Sequence, residues 1–221
     1  MSTYVLMRVL ESAPRRYDLG IRLLTFGRID RAYDRLAGQI EPGQRVLDLG
    51  CGTGALTVRA ARRGAIVKGI DINPEMLAIA RRRVKEEQLE ERVELAEQGV
   101  AELDREEGQS YDAVASGLCF SELSEDELGY ALDQVARVLR PGGLLLVADE
   151  VSPRHAITRA LRSLLRAPLA LLTYLITQQT SHAVRALPER LAAAGLSLVS
   201  TTHNALGSFG VYVAQRPAGE R

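Results

Sequence analysis

From Arg45 onward, short apolar runs alternate with helical periodicities in a regular order. Arg45-Val46-Leu47-Asp48-Leu49 reads as a strand that ends in a glycine cluster, and Ile66 to Ile70 as a second strand ending at Asp71. Val93-Glu94-Leu95, Tyr111 to Ala115 and Leu144 to Ala148 supply three more. The intervening segments carry helix signals. Ala55 to Arg63 stops at Gly64, and Asn73-Pro74-Glu75 opens a helix to about Gln88 with a capping side chain and a proline at the first helical position. Ser124-Glu125-Asp126-Glu127 is a capping box before the apolar face Leu128, Leu132, Val135 and Leu139, and Pro141-Gly142-Gly143 is expected to end that helix. Pro188 to Ala194 forms a last short helix, and Leu196 to Ser200 and Phe209 to Ala214 an antiparallel hairpin. This order predicts an α/β fold with a doubly wound, mostly parallel sheet.

Two segments are additions to that pattern, within what reads as a single domain over 1–221. Residues 1–39 precede the sheet, with Ile21, Leu24, Ile29, Tyr33 and Leu36 on a helical face. Residues 154–187 form a helical insertion in which Arg159, Arg162 and Arg166 share a face and Leu161, Leu164, Leu165 and Leu172 favour another. A lid or packing role is expected of the insertion, with a dimer surface or a docking face as alternatives, because arginine stems often cover a core. The basic run Arg81-Arg82-Arg83 reads as a solvated face, since Glu86 and Glu87 stand four residues from Arg82 and Arg83.

With 221 residues, 46% hydrophobic and 25% charged, the chain can bury one core, which excludes a disordered or collagen-like protein. Lys plus Arg and Asp plus Glu are each 28, so no whole-molecule field attracts nucleic acid, and such a partner is not expected. The apolar stretch near 156–176 is broken by arginines and Pro168, short of the roughly 18 apolar residues of a membrane span. Only Cys51 and Cys119 occur, without a secretory signal, so a reducing compartment, the cytoplasm, is expected. His155, His182 and His203 are too scattered for a metal motif, and no protein-held metal is expected.

In a doubly wound sheet, ligands bind beyond the carboxyl ends of the strands. There the chain reads Asp48-Leu49-Gly50-Cys51-Gly52-Thr53-Gly54. Alternate glycines allow a sharp turn, close backbone approach to a ligand and amides aimed at it beside a helix N-terminus. Asp71 follows about 20 residues after the first glycine, where a strand-tip acid accepts from both ribose hydroxyls of a nucleoside. Gly50-x-Gly52-x-x-Ala55 also satisfies the dinucleotide fingerprint, which leaves an NAD(P)-dependent oxidoreductase as an alternative. Asp48 favours an amino-acid-bearing nucleoside, because a carboxylate suits an ammonium better than a pyrophosphate.

Val46 to Gly54, Gly69-Ile70-Asp71-Ile72-Asn73-Pro74, Tyr111-Asp112-Ala113-Val114 and Val138-Leu139-Arg140-Pro141-Gly142-Gly143 together resemble class I S-adenosylmethionine-dependent methyltransferases, in order, from about Glu41 to Ala148. The resemblance implies a Rossmann-like seven-stranded sheet with an antiparallel last strand and S-adenosyl-L-methionine as cofactor. It implies that Gly50, Cys51, Gly52, Thr53 and Gly54 line the methionine and ribose, with Asp48 near the amino group. Asp71 would take the ribose, Ile72 would pack on adenine, and Ser116 to Leu118 would face the methyl. Gly99-Val100-Ala101 falls where the family often has Gly-Asp-Ala, so backbone groups at Val100 and Ala101 replace an aspartate in reading adenine. The stretch from Tyr4 to Asp18, continuing to Arg31-Ala32-Tyr33-Asp34, is similar to corrinoid-protein-associated methyltransferases, which implies a corrinoid protein partner.

A sulfonium methyl is already electrophilic, so alignment of the acceptor and exclusion of water are the protein's main tasks, and no catalytic residue is singled out. Glu122, Glu150, His155 and His182 are candidates for a base, each with a plainer structural role. Neither cysteine has the flanking histidine of an activated thiolate. The acceptor is expected to be a small molecule or a cofactor-bearing protein; a non-catalytic cofactor-binding module is the remaining alternative.

Overall fold

The computed structural model describes Asp18, Arg22 and residues 27–151, 183–204 and 207–219. The elements are α1 (Arg28–Ala37), β1 (Arg45–Leu49), α2 (Ala55–Arg62), β2 (Ile66–Asp71), α3 (Pro74–Glu86), β3 (Val93–Glu97), a 3-10 turn (Val100–Arg105), β4 (Tyr111–Gly117), a second 3-10 turn (Phe120–Glu122), α4 (Glu125–Val138), β5 (Leu139–Glu150), α5 (Leu187–Ala193), β6 (Ser197–His203) and β7 (Phe209–Gln215). The seven strands form one sheet in the order β3-β2-β1-β4-β5-β7-β6. Pairs from β3 through β5 are parallel, and β7 runs antiparallel to both β5 and β6. The mostly parallel α/β sheet with its antiparallel end thus follows the order of elements read from the sequence.

The chain leaves β1 toward β2 on one side and later returns as β4 on the other, so the crevice of the sheet opens above the tip of β1. One face of the sheet is covered by α1 and α2, whose Ile29, Tyr33, Leu36 and Leu56 pack with Val46, Val67 and Ala115. The other buries Leu103, Phe120, Leu132, Val135 and Leu191 against Leu47, Ile70 and Val147. Truncating a fully buried leucine such as Leu132 costs about 2–5 kcal/mol in such a setting. Arg59 on α2 ties α1 down through Asp30 at 2.7 Å and Asp34 at 2.8 Å.

Local chemistry explains the helix starts. Asn73 accepts from the amides of Glu75 at 3.0 Å and Met76 at 3.3 Å, a cap worth about 1 kcal/mol. Ser124 and Glu127 close the expected capping box. Two expectations need correction. Pro141-Gly142-Gly143 does not end α4, which stops at Val138; because the residue before a proline is pushed to extended backbone, the segment lies inside β5 as an irregularity between the Tyr111↔Leu139 and Ala113↔Leu144 pairs. Arg82 does meet Glu86, at 3.7 Å, but Arg83 turns to Asp18, and Glu87 is taken by Arg62 at 2.5 Å.

Arg159, Arg162, Arg166, His155 and His182 lie outside the described residues, as does most of the N-terminal segment. Among the described residues, no helix is long and apolar enough to cross a membrane, and no cluster of side chains could hold a metal ion.

Candidate cofactor cleft

After Leu49 the backbone enters the left-handed region at Gly50, Gly52 and Gly54, with φ of 61°, 54° and 77°. These glycines serve different neighbours. A Cβ on Gly50 would lie 2.7 Å from Cys119 Sγ, and one on Gly54 would lie 3.1 Å from the Cβ of Ala80 on α3. At Gly52 a Cβ would meet nothing within 4 Å. Of the three, only Gly52 therefore stands beside open space.

The loop is fixed to the next strand by Asp71. Its Oδ2 accepts from the Gly52 amide at 2.8 Å, and its Oδ1 accepts from the Asn73 amide at 2.8 Å. The Cys51 amide adds a bond to the Ile70 carbonyl at 2.9 Å. A carboxylate has about four acceptor sites, so lone pairs remain on Asp71 for two further donors. Burial raises the Asp71 carboxyl above the ordinary range, while the amides of Asn73, Gly52 and Ile72 oppose that rise.

A cleft of about 350 Å³ opens beside the loop, lined by Asp48, Gly50, Cys51, Gly52 and Thr53 and, across from them, by Tyr33 and Gly117. Its size is within the range of small-molecule sites. Asp48 is 1% exposed, and its Oδ2 accepts from the Thr57 hydroxyl at 2.5 Å. Burial pushes its carboxyl up to about 7, the Thr57 bonds pull the other way, and the nearby Asp71 charge adds to the rise.

The adenine residues implied by the resemblance are absent from the lining of that cleft and stand together at the tip of β2 and the first 3-10 turn. Ile72 is 74% exposed at the tip of β2. A Cβ on Gly99 would come within 3.3 Å of Ile72 Cγ2, so the two adjoin, and Val100 and Ala101 open the first 3-10 turn there. Ser116 is placed differently from expectation. It is fully buried in β4 between Leu49 and Val147, its hydroxyl has no hydrogen-bond partner, and of the expected stretch from Ser116 to Leu118 it is Gly117 that lines the cleft. Strand alternation is the reason: neighbouring residues face opposite sides of a sheet.

Two buried residues near the cleft carry no sequence signal, and only the first lines its wall. Tyr33, expected only as part of a helical face, reaches across from α1 so that a Cβ on Gly117 would lie 2.5 Å from its hydroxyl oxygen. Burial, with Asp48 and Asp149 nearby, raises its phenol and keeps it protonated. Asp149, next to the Glu150 that was considered, is fully buried at the end of β5. No sequence signal marks either, because both depend on β4 being threaded between β1 and β5. Thr53 also donates to Asp18 Oδ1 at 2.7 Å, and Asp18 pairs with Arg83, which brings Asp18 to the loop.

Glu122 and Glu150 lie outside the cleft wall, in the second 3-10 turn and at the end of β5. His203 is on β6, 2.9 Å from the Tyr212 hydroxyl. Burial holds the thiols of Cys51 and Cys119 well above their usual titration range, as inert side chains.

Residues 46–143 match the family model described as a methyltransferase domain. A demethylmenaquinone methyltransferase of Thermus thermophilus is 38% identical over 189 residues, covering 83% of this chain and 82% of that protein. One of Tropheryma whipplei with the same name is 37% identical over 163 residues, 73% of this chain; the chain spans 64% of that relative's length. Among solved structures, a geranyl diphosphate methyltransferase in complex with S-adenosylmethionine shares the fold, with a TM-score of 0.68, 18% identity and coverage of 91% of this chain and 90% of that one.

Proposed function

The chain belongs to the class I S-adenosylmethionine-dependent methyltransferases, and from that premise we propose that it transfers the sulfonium methyl of S-adenosylmethionine to a small-molecule acceptor of the demethylated naphthoquinol class. The acceptor class comes from the names of the relatives. The cofactor reading is carried by one observation: the amide of Gly52, which with Asp48 lines the cleft, is tied to the strand-tip carboxylate of Asp71.

The residues present fit that nucleoside. Asp71 keeps acceptor sites for two ribose hydroxyls, and Asp48 offers a carboxylate to the ammonium group. Ile72 beside Gly99 gives an apolar surface for adenine, with the backbone of Val100 and Ala101 at its edge. When bound, the cofactor supplies a methyl that is already electrophilic. The wall of Tyr33 and Gly117 excludes water from that end and limits how the acceptor approaches.

The test is calorimetric titration with S-adenosylhomocysteine, followed by incubation with methyl-labelled cofactor and demethylmenaquinone. Saturable binding and label in the quinone are expected. Absence of binding at millimolar ligand overturns the cofactor reading, and NADH fluorescence enhancement in its place points to a dinucleotide oxidoreductase. Binding without label in the quinone overturns the acceptor; label in a corrinoid protein fraction then identifies the partner implied by the N-terminal pattern, and no transfer to any acceptor leaves a binding module.

A further inference from the structure

The second 3-10 turn joins β4 to α4 and touches the cofactor loop at one point. Leu118 enters it in the left-handed region, with φ 63°, and its amide donates to the Ala148 carbonyl at 2.9 Å. Cys119 follows, and its side chain lies against Gly50 so closely that a Cβ there would be 2.7 Å from Sγ and 2.8 Å from the cysteine Cβ. Phe120 then anchors the turn in the core, with 1% exposure. A turn that supports the loop on this side must itself be held in place, since its own bonds, Glu122 N to Cys119 O at 3.0 Å and Leu123 N to Phe120 O at 3.3 Å, are local.

Beside the Leu118 bond to Ala148, Asp149 supplies a second hold on the turn. The carboxyl is fully buried, its Oδ2 accepts from the Ser121 amide at 3.2 Å, and its Oδ1 accepts from the Glu150 amide at 2.6 Å. A buried acid with one oxygen on its own strand and the other on the turn is a bridge between β5 and the turn. Burying such a group is costly unless its bonds are made, so the bridge constrains both ends. Asp71 fixes the loop from β2 through Gly52, and the turn meets it from the opposite side at Gly50.

We propose that Asp149 is a positioning residue for the cofactor loop: its carboxyl holds the turn at 118–122, and through Cys119 that turn sets the seat of Gly50. The proposal rests on the reading of the loop as the cofactor site. It requires no contact between Asp149 and the cofactor.

The test is S-adenosylhomocysteine titration of four chains: D149A, D149N, C119A and the D149A/C119A double variant. D149A is expected to weaken binding about tenfold, the scale of one buried hydrogen bond to a carboxyl, with recovery to within about threefold in D149N, whose amide oxygen still accepts from Ser121. In the C119A background, D149A should cost less affinity than in the wild-type chain, because the Sγ part of the contact that transmits its effect is gone while the Cβ remains. Unchanged affinity in a folded D149A chain, or losses that multiply in the double variant, overturns the proposal. Should D149A fail to fold, hydrogen exchange in D149L, which keeps the side-chain volume and removes the acceptor, decides: faster exchange confined to the amides of 50–54 supports the proposal, and unchanged or uniformly faster exchange across β1 to β4 overturns it. If the wild-type chain binds no S-adenosylhomocysteine, the cofactor reading fails, while the exchange comparison still judges the bridge.

Discussion

The two sides of the cleft are built on different principles. On the β1–β2 side, backbone amides and one strand-tip carboxylate do the work: Gly52 to Asp71, Asn73 to Asp71 and Cys51 to Ile70, all within short reach of two consecutive strands. On the β4–β5 side the cleft depends on side chains from distant parts of the chain, with Tyr33 from α1 over Gly117 in the wall and, behind it, Cys119 against Gly50 and Asp149 bonded to the turn. The first side offers hydrogen bonds to a ligand. The second sets the shape of the space in which they act. A site of this kind can keep its ligand chemistry while its wall is rebuilt, because the two draw on separate residues.

Three measurements would break or sharpen that contrast. The largest effect is expected where the sides touch. Gly50→Ala places a Cβ against Cys119 at a positive φ, combining left-handed strain of about 1–2 kcal/mol with overpacking of about 1–3 kcal/mol, so a fall in Tm of roughly 5–15 °C should appear by calorimetry. Loss of Tm below 2 °C or so would mean that the two sides are not in contact in solution. Next, Asp71→Ala should weaken S-adenosylhomocysteine binding by about 1.5–3 kcal/mol through lost charge-assisted hydrogen bonds, read by titration. Equal affinity in that variant would remove the β1–β2 side from the ligand.

The smallest effect concerns pH and Asp48, whose carboxyl titrates near 7 in the folded chain, because of burial above all, and near 4 in an unfolded one. Between those values the folded state holds the extra proton, so the stability of the unliganded protein falls as pH rises from about 4 to 7. Asp149, also pushed up to about 7 by burial, contributes with the same sign. Asp48→Asn should therefore remove part of the slope in denaturant titrations at several pH values, leaving the part due to Asp149. Ligand affinity should run the other way, because an ammonium favours the ionised carboxylate: full above pH 7, and weaker by up to about tenfold per unit below it. A ligand affinity that is flat from pH 5 to 8 in the wild type would separate Asp48 from the ammonium.

The contrast also explains what could be read without coordinates. The succession of strands and helices along the chain, the capped starts of α3 and α4 and the Gly50 to Gly54 loop with Asp71 were legible because each depends on residues close in sequence, or on two strands joined by one helix. Of the stretch from Ser116 to Leu118 only Gly117 lines the cleft, because neighbouring residues of β4 face opposite sides of the sheet and Ser116 is buried. Tyr33 and Asp149 carry no local signal: one is a regular member of an amphipathic helix, the other an acid at a strand end. The Arg83 pairing failed for a related reason, since an exposed four-residue spacing yields to any better-placed carboxylate, here Asp18. The proline and glycines at 141–143 carry a correct turn signal, but the chain uses it to bend a strand.

The placement of Tyr33 on Gly117 has a consequence for biosynthesis. The wall it forms joins a helix made before the first strand to the tip of a strand that must slide in beside β1 only after β2 and β3 exist. During synthesis on the ribosome, the loop and its aspartate are complete long before this wall can close. A nascent chain that has emerged only through β3 carries the recognition groups without an enclosed chamber, and the ligand can stabilise the product of translation only after the central strand has taken its place.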